Sequence, residues 1–364
     1  MATRRRSVAP GIEPNEQQRE IYRNALKQGV KAICFFNNKG GVGKTTLVAN
    51  LAAEISLNFG AKVLVIDADP QCNLTQYVLG EDDVIDIYSS QNIDSVYSVI
   101  RPLSLGKGYG DKLPIRKSEA FGFDLIIGDP RLALQEDLLA QDWRDARGGG
   151  MRGIRTTYVF ADVVNKAKSA NYDFVFFDMG PSLGAINRSI LLAMDYFVVP
   201  MAIDIFSIWA IKNIGATVGV WQKELRNGIK LSEDPTEIPE IDQRRTIRFL
   251  GYVTQQHKER GVAGEKGSDQ KVDRRRIVQA YRDISAGFPD EIEKHLGDLY
   301  RKQKVRPHLG DIRHLGSLAP KSQSQHVPMI SVAGTGSYTG LRKQARQIYR
   351  DIAVRYLENL VASE

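Results

Sequence analysis

Apolar residues fall along this chain in short solid runs separated by stretches of helical spacing. Ala32-Ile33-Cys34-Phe35-Phe36 is a continuous run, too short for a helix and bounded by polar residues, so it reads as a strand buried on both faces. From Lys44 to Phe59 the period changes: Val48, Ala52, Ile55 and Phe59 recur at helical spacing with Leu47 and Leu51 beside them, and Gly60 stands where a helix ends. Further buried strands are expected at 63–66, 125–127, 174–177, 197–199 and 249–253. A short helix over about 12–28, with Ile21, Tyr22, Ala25 and Leu26 on one side, precedes them. The last helical stretch carries Leu341, Ala345, Ile348, Ile352, Tyr356 and Leu360 on one stripe against Arg342, Lys343, Arg346 and Arg350, and is expected to pack on the core rather than on a membrane surface. Solid strands alternating with helices predict an α/β fold, doubly wound around a mostly parallel sheet.

At 364 residues the chain fits a short N-terminal extension, 1–30, before a single domain, 31–364. Insertions are expected near 103–118, 144–155 and 225–245, as surface loops or elaborations on the sheet: a Gly/Lys-rich stretch, a Gly148-Gly149-Gly150 run flanked by Arg144, Arg147, Arg152 and Arg155, and a charged stretch with Pro235 and Pro239. No internal repeat is evident. Two cysteines, Cys34 and Cys72, exclude a disulfide framework or a Cys-based metal site within one chain. No run of 18 apolar residues occurs, and the polar residues after Arg4-Arg5-Arg6 offer no apolar signal segment, so a cytoplasmic protein with no membrane partner is expected. A net charge of +7 fits an anionic partner without singling one out.

The first strand runs directly into Asn37-Asn38-Lys39-Gly40-Gly41-Val42-Gly43-Lys44-Thr45-Thr46 and then the helix. Strand, glycine-rich loop and helix N-terminus make a phosphate cradle, in which backbone N–H groups approach anionic oxygens and the helix dipole favours negative charge. Lys44 is placed to neutralise the β- and γ-phosphates and the Thr45 hydroxyl to ligate Mg²⁺. A strict Walker A string has glycine at the position of Asn38; this chain instead has a second lysine, Lys39, before the paired glycines. The second strand ends in Asp67-Ala68-Asp69-Pro70-Gln71, whose carboxylates face the crevice at the carboxyl end of a parallel strand. Taken alone, that pair is equally a turn with an Asx cap. The run 173–178 ends in Asp178, a second carboxylate at a strand end.

These strings resemble the deviant Walker A family, which includes the ParA/Soj partition ATPases, MinD-like proteins and the nitrogenase iron protein. The resemblance covers about residues 30–360 and is specific at the phosphate motifs. It implies ATP and Mg²⁺ as cofactors and a homodimer that sandwiches nucleotide, with Lys39 reaching the partner's phosphates. It further implies that Lys39, Lys44 and Asp69 carry catalysis, Asp69 by orienting the attacking water. Residues Lys39, Gly40, Gly41, Val42, Gly43, Lys44, Thr45 and Thr46 would hold the phosphates, and Thr45, Asp67 and Asp178 the metal. The Asp69-Pro70-Gln71 segment is similar to the ParA branch and unlike MinD relatives, whereas Met179-Gly180-Pro181-Ser182 departs from the family's usual Thr-Pro-Pro-Ser. Adenine contacts are carried over only to Thr254 and the Asp311 region.

Cations gather between His257 and Arg276, including Lys258, Arg260, Lys271, Arg274, Arg275 and Arg276, and again at Arg301, Lys302, Lys304, Arg306 and Arg313. In partition ATPases such residues bind double-stranded DNA without sequence preference, as lysine and arginine contacts to phosphates do. The expectation is therefore an ATP-dependent dimerising switch on non-specific DNA, for partition or cargo positioning, with hydrolysis stimulated by a ParB-like or cargo adaptor protein. The alternative is a ParA-like ATPase that regulates a partner effector, for example in an antiphage system, without binding DNA.

Overall fold

The computed structural model describes residues 12–27, 29–238, 246–256 and 270–363, with only the backbone described at 270–278 and 280–282. Eight strands form one sheet: β1 Lys31–Phe35, β2 Val63–Ala68, β3 Arg116–Lys117, β4 Asp124–Ile126, β5 Phe174–Met179, β6 Tyr196–Ala202, β7 Arg248–Gln255 and β8 His308–Ile312. Their order is β3-β4-β2-β5-β1-β6-β7-β8. All neighbours are parallel except β3 and β4. The fold is therefore the doubly wound, mostly parallel α/β sheet that the hydrophobic pattern predicts.

Period-two alternation along the strands feeds two cores. Ile33, Phe35, Val63, Val65, Phe174, Phe176, Tyr196 and Val198 bury against the helix Lys44–Phe59 and the C-terminal helix Ser337–Ala362. Ala32, Cys34, Leu64, Ile66, Val175, Phe177, Phe197 and Val199 bury on the opposite face, beneath the helices Val159–Ser169, Ala185–Ala193 and Ile205–Leu231. The register decides where the chemistry lies: Phe35 stands opposite Asp178 across β1 and β5, and Asp178 opposite Asp67 across β5 and β2. The glycine loop and two carboxylates thus meet at one end of the sheet's centre.

The first helix is Glu16–Leu26, shorter than expected, because Asn15 and Gln18 form a reciprocal capping box that sets its start. Behind the glycine loop, the P-loop helix Lys44–Phe59 buries Glu54 at 1% exposure. Its partner is Arg350 of the C-terminal helix, whose guanidinium also reaches the Gln18 side chain at 3.3 Å and the Ile12 carbonyl. Burial pushes the Glu54 pKa up, and Arg350 opposes that shift.

Two of the stretches expected as loops or elaborations are structured rather than bare loops. Residues 144–155 are the meeting of two packed helices, Glu136–Arg147 and Met151–Thr157, around the triple glycine. Asp145 accepts from Gly153 N–H at 2.8 Å across the turn, and Leu139, Trp143, Ala146 and Ile154 enter the core. The stretch 225–245 continues the long helix as far as Leu231 and adds a turn at Pro235–Glu237; residues 239–245 lie outside the described part. The region after Pro307 supplies β8, paired with β7.

Candidate nucleotide site

Gly41 and Gly43 adopt φ of +73° and +70°, the left-handed conformation that only glycine takes without strain, so the loop can fold back over the start of the helix Lys44–Phe59. Gly43 caps that helix without a side chain and leaves its first N–H groups facing the cleft. Asn37, fully buried, pins the loop: its amide donates to the Pro200 carbonyl at 2.7 Å and its carbonyl oxygen accepts from Lys39 N–H at 2.9 Å. Lys44 donates back to the carbonyls of Asn37 and Lys39 at 3.2 and 3.1 Å. Burial lowers its pKa, against the raising effect of Asp178 and Asp69.

The Thr45 hydroxyl donates to Asp178 Oδ2 at 2.7 Å. Asp178 is fully buried, and its Oδ1 has no hydrogen-bond partner. Burial, then the neighbouring Asp67 charge, raises its pKa to about 8. Asp67, also fully buried and raised to about 7 mainly by burial, has its oxygens committed: Oδ2 accepts from Thr75 N–H at 2.8 Å and Thr75 Oγ1–H at 2.6 Å, and Oδ1 from Asp69 N–H at 3.4 Å. Two buried carboxylates raised together, one with an orphaned oxygen beside a hydroxyl, fit a divalent cation that would supply the missing charge. Thr45 and Asp178 would hold it; Asp67 braces the loop after β2. Asp69, 7% exposed, accepts from Gln71 N–H at 3.0 Å and lines the cleft.

The cleft measures about 500 Å³. Gly40, Gly41, Val42, Gly43, Lys44, Thr45 and Thr46 form one wall, and Asp69, Gln71, Gln76, Tyr77, Pro181 and Gln323 the others. Sequence reasoning missed Tyr77 and Gln323. Tyr77 Oη lies 2.5 Å from Ser322 Oγ and accepts from Asn50 at 3.1 Å, while Asn50 accepts from Met329 N–H at 2.7 Å. That network ties the P-loop helix to the segment after β8, and no local string announces it.

Lys39 does not turn toward the cleft of its own chain. Its ammonium pairs with Asp204, which also caps the helix Ile205–Leu231, and lies 5.8 Å from the Phe206 ring centroid. Thr254 is buried on β7 with its hydroxyl on Asp311, away from the residues that line the cleft. Its neighbour Gln255 reaches the glycine loop instead, donating to the Gly43 carbonyl at 3.0 Å. Of the DNA candidates, Lys258 and Arg260 lie outside the described residues; Lys271, Arg274, Arg275 and Arg276 lie on the helix Gln270–Leu296, whose backbone alone is described there. Arg301 is paired with Glu293 at 2.8 Å and Asp298 at 3.2 Å. Among the described residues no helix is long and apolar enough to cross a membrane.

The AAA domain family matches residues 30–231, more than half of the chain. The chromosome-partitioning ATPase Soj of Thermus thermophilus is 27% identical over 204 residues, covering 56% of this chain and 66% of that protein, so the match spans slightly less than two thirds of Soj. Among solved structures, protein DIP2308 from Corynebacterium diphtheriae is 35% identical with a TM-score of 0.56, over 62% of this chain and 82% of that one. The structure of pNOB8 ParA bound to nonspecific DNA shares the fold at 18% identity and a TM-score of 0.52, over 91% and 97% of the two chains. The glycine loop, its paired lysines and the strand-end carboxylates lie within or beside the matched span, and the chain belongs to the AAA domain family, in its ParA/Soj-type branch.

Proposed function

We propose that the chain is an ATP- and Mg²⁺-dependent ATPase switch that dimerises around nucleotide and binds non-specific DNA. The observation that carries this reading is the Thr45–Asp178 pair, with an orphaned buried carboxylate oxygen, at the foot of a glycine loop whose helix start is uncapped. Thr45 and Asp178 would hold Mg²⁺, which would supply positive charge against the phosphates. Lys44 gives up its contacts to two loop carbonyls for the β- and γ-phosphates. Asp69 accepts a hydrogen bond from the attacking water through the oxygen it does not spend on Gln71. In the proposed dimer Lys39 exchanges Asp204 for the partner chain's phosphates, adding a second cation where charge develops in the transition state. The DNA part of the reading is supported by the cationic composition of 257–276 and by the fold shared with pNOB8 ParA.

The test is fluorescence anisotropy of a random-sequence duplex with ATP, with ADP and without nucleotide, at two salt concentrations, beside a phosphate-release assay. ATP-dependent binding that weakens with salt supports the switch on DNA. Hydrolysis without DNA binding in any state transfers the reading to an ATPase that regulates a partner effector. In the reading as a switch on DNA, hydrolysis is stimulated by a ParB-like or cargo adaptor protein.

A further inference from the structure

The loop after Asp178 is where this chain departs from its family's usual string, and its support comes from an unexpected place. The helix Ala185–Ala193 follows that loop, and its N-cap, Gly184, has no side chain with which to satisfy the first N–H groups. Glu136 does so from outside: its carboxylate accepts from Ala185 N–H and, at 3.1 Å, from Ile186 N–H. A Cβ at position 184 would collide with that carboxylate, so glycine there leaves room for it. In the same turn Asn187, 2% exposed, donates to the carbonyls of Gly180 and Ser182 at 2.8 and 2.7 Å. Gly180 in turn backs Asp69, where a Cβ would stand 3.3 Å from Oδ1, and Pro181 lines the cleft. Arg188, next on the helix, lies between Trp143 and Trp221 at 4.6 and 5.7 Å, so the turn is also gripped laterally.

We propose that Glu136 is a positioning residue for Asp69 and the loop 180–182, acting through the first turn of the helix Ala185–Ala193; for turnover this rests on the ATPase reading above. A carboxylate bonding two helix N–H groups is a charge-assisted contact that complements the helix dipole. Without it the turn frays, Asn187 loses its register on the two carbonyls, and Asp69 loses its backing. Glu136 and Asn187 make no hydrogen bond to the glycine loop or Lys44, so nucleotide affinity is spared.

The experiment uses the full chain as wild type, Glu136→Ala, Glu136→Gln, Asn187→Ala and the Glu136→Ala/Asn187→Ala double variant. Steady-state MgATP turnover, affinity for a fluorescent ATP analogue and amide hydrogen exchange over 180–187 are read for each. Expected for Glu136→Ala are turnover lower by about tenfold, affinity within about twofold, and faster exchange at 180–187. Glu136→Gln, which keeps an acceptor, recovers turnover to within about threefold of wild type, and the double variant is no more than about twofold worse than the poorer single one. The proposal is overturned by unchanged exchange at 180–187, by faster exchange with wild-type turnover, or by turnover and affinity falling together in both Glu136 variants. If the wild-type chain does not hydrolyse ATP, the ATPase reading fails, and the exchange arm alone still decides whether Glu136 orders the loop.

Discussion

At the carboxyl ends of β1, β2 and β5 the groups that build the phosphate end of the cleft are strand ends or near neighbours in sequence: the loop 40–46, Asp69 and, beneath them, Asp178. On the β7–β8 side the groups that touch the same loop come from far away, as when Gln255 bonds the carbonyl of Gly43, 212 residues earlier. The two sides do different work. Phosphate recognition draws on backbone N–H groups and fixed charges, which parallel register alone brings together, because Asp67 and Asp178 are paired positions of adjacent strands. On the β7–β8 side the contact to the loop is made by a side chain, that of Gln255.

Substitutions can break that contrast, beginning with the largest effect. Lys44→Ala is expected to weaken ATP binding at least about 100-fold, measured by titration calorimetry, since it removes the buried cation aimed at the phosphates; an unchanged affinity would detach the loop from nucleotide altogether. Asp69→Ala should lower turnover about 100-fold in a phosphate-release assay while binding stays within about threefold. A variant hydrolysing at the native rate would move the water-orienting role to another group.

Third in size is a pH effect on the ligand-free chain. Asp178 and Asp67 are raised to about 8 and about 7 from an unfolded value near ~3.9, so the folded state holds protons that the unfolded chain has released. Their contribution to stability is full below about pH 4 and is lost as pH rises through 7 to 8. Asp178→Asn removes one of these carboxylates, so its melting temperature should exceed wild type most at pH 8, by a margin that shrinks toward pH 5. A pH-independent difference in differential scanning fluorimetry would show that the pair is not held protonated. The smallest effect sharpens the other side of the contrast. Gln255→Ala should change ATP affinity by about threefold, whereas Thr254→Val should leave affinity alone and lower the melting temperature, because its hydroxyl serves Asp311. The reverse pattern would return adenine contact to Thr254.

The buried strands were legible because sheets covered on both faces write themselves as solid apolar runs; β1, β2, β5, β6 and β7 follow that rule. β8 was not, since His308, Gly310 and Asp311 interrupt its apolar residues at the sheet's edge. The helices around 144–155 were hidden by three glycines, although Leu139, Trp143 and Ala146 already fall at helical spacing before them. Gly149 takes φ +89° in the turn, which is what that glycine is for. In the site, the phosphate strings could be read directly because each is contiguous. Lys39 on Asp204, Glu136 on Ala185 and Tyr77 on Ser322 could not, because their partners lie 165, 49 and 245 residues away.

The Glu54–Arg350 pair sets a timetable for the nascent chain. Glu54 emerges from the ribosome 296 residues before the guanidinium that neutralises it, with only Asn58, at 2.6 Å in the finished protein, as a local partner for its carboxylate. A carboxylate is expensive to bury alone, so the rear of the P-loop helix stays wet until the C-terminal helix arrives. A chain stalled before Arg350 therefore carries every phosphate motif while Glu54 still lacks the guanidinium that opposes the cost of its burial.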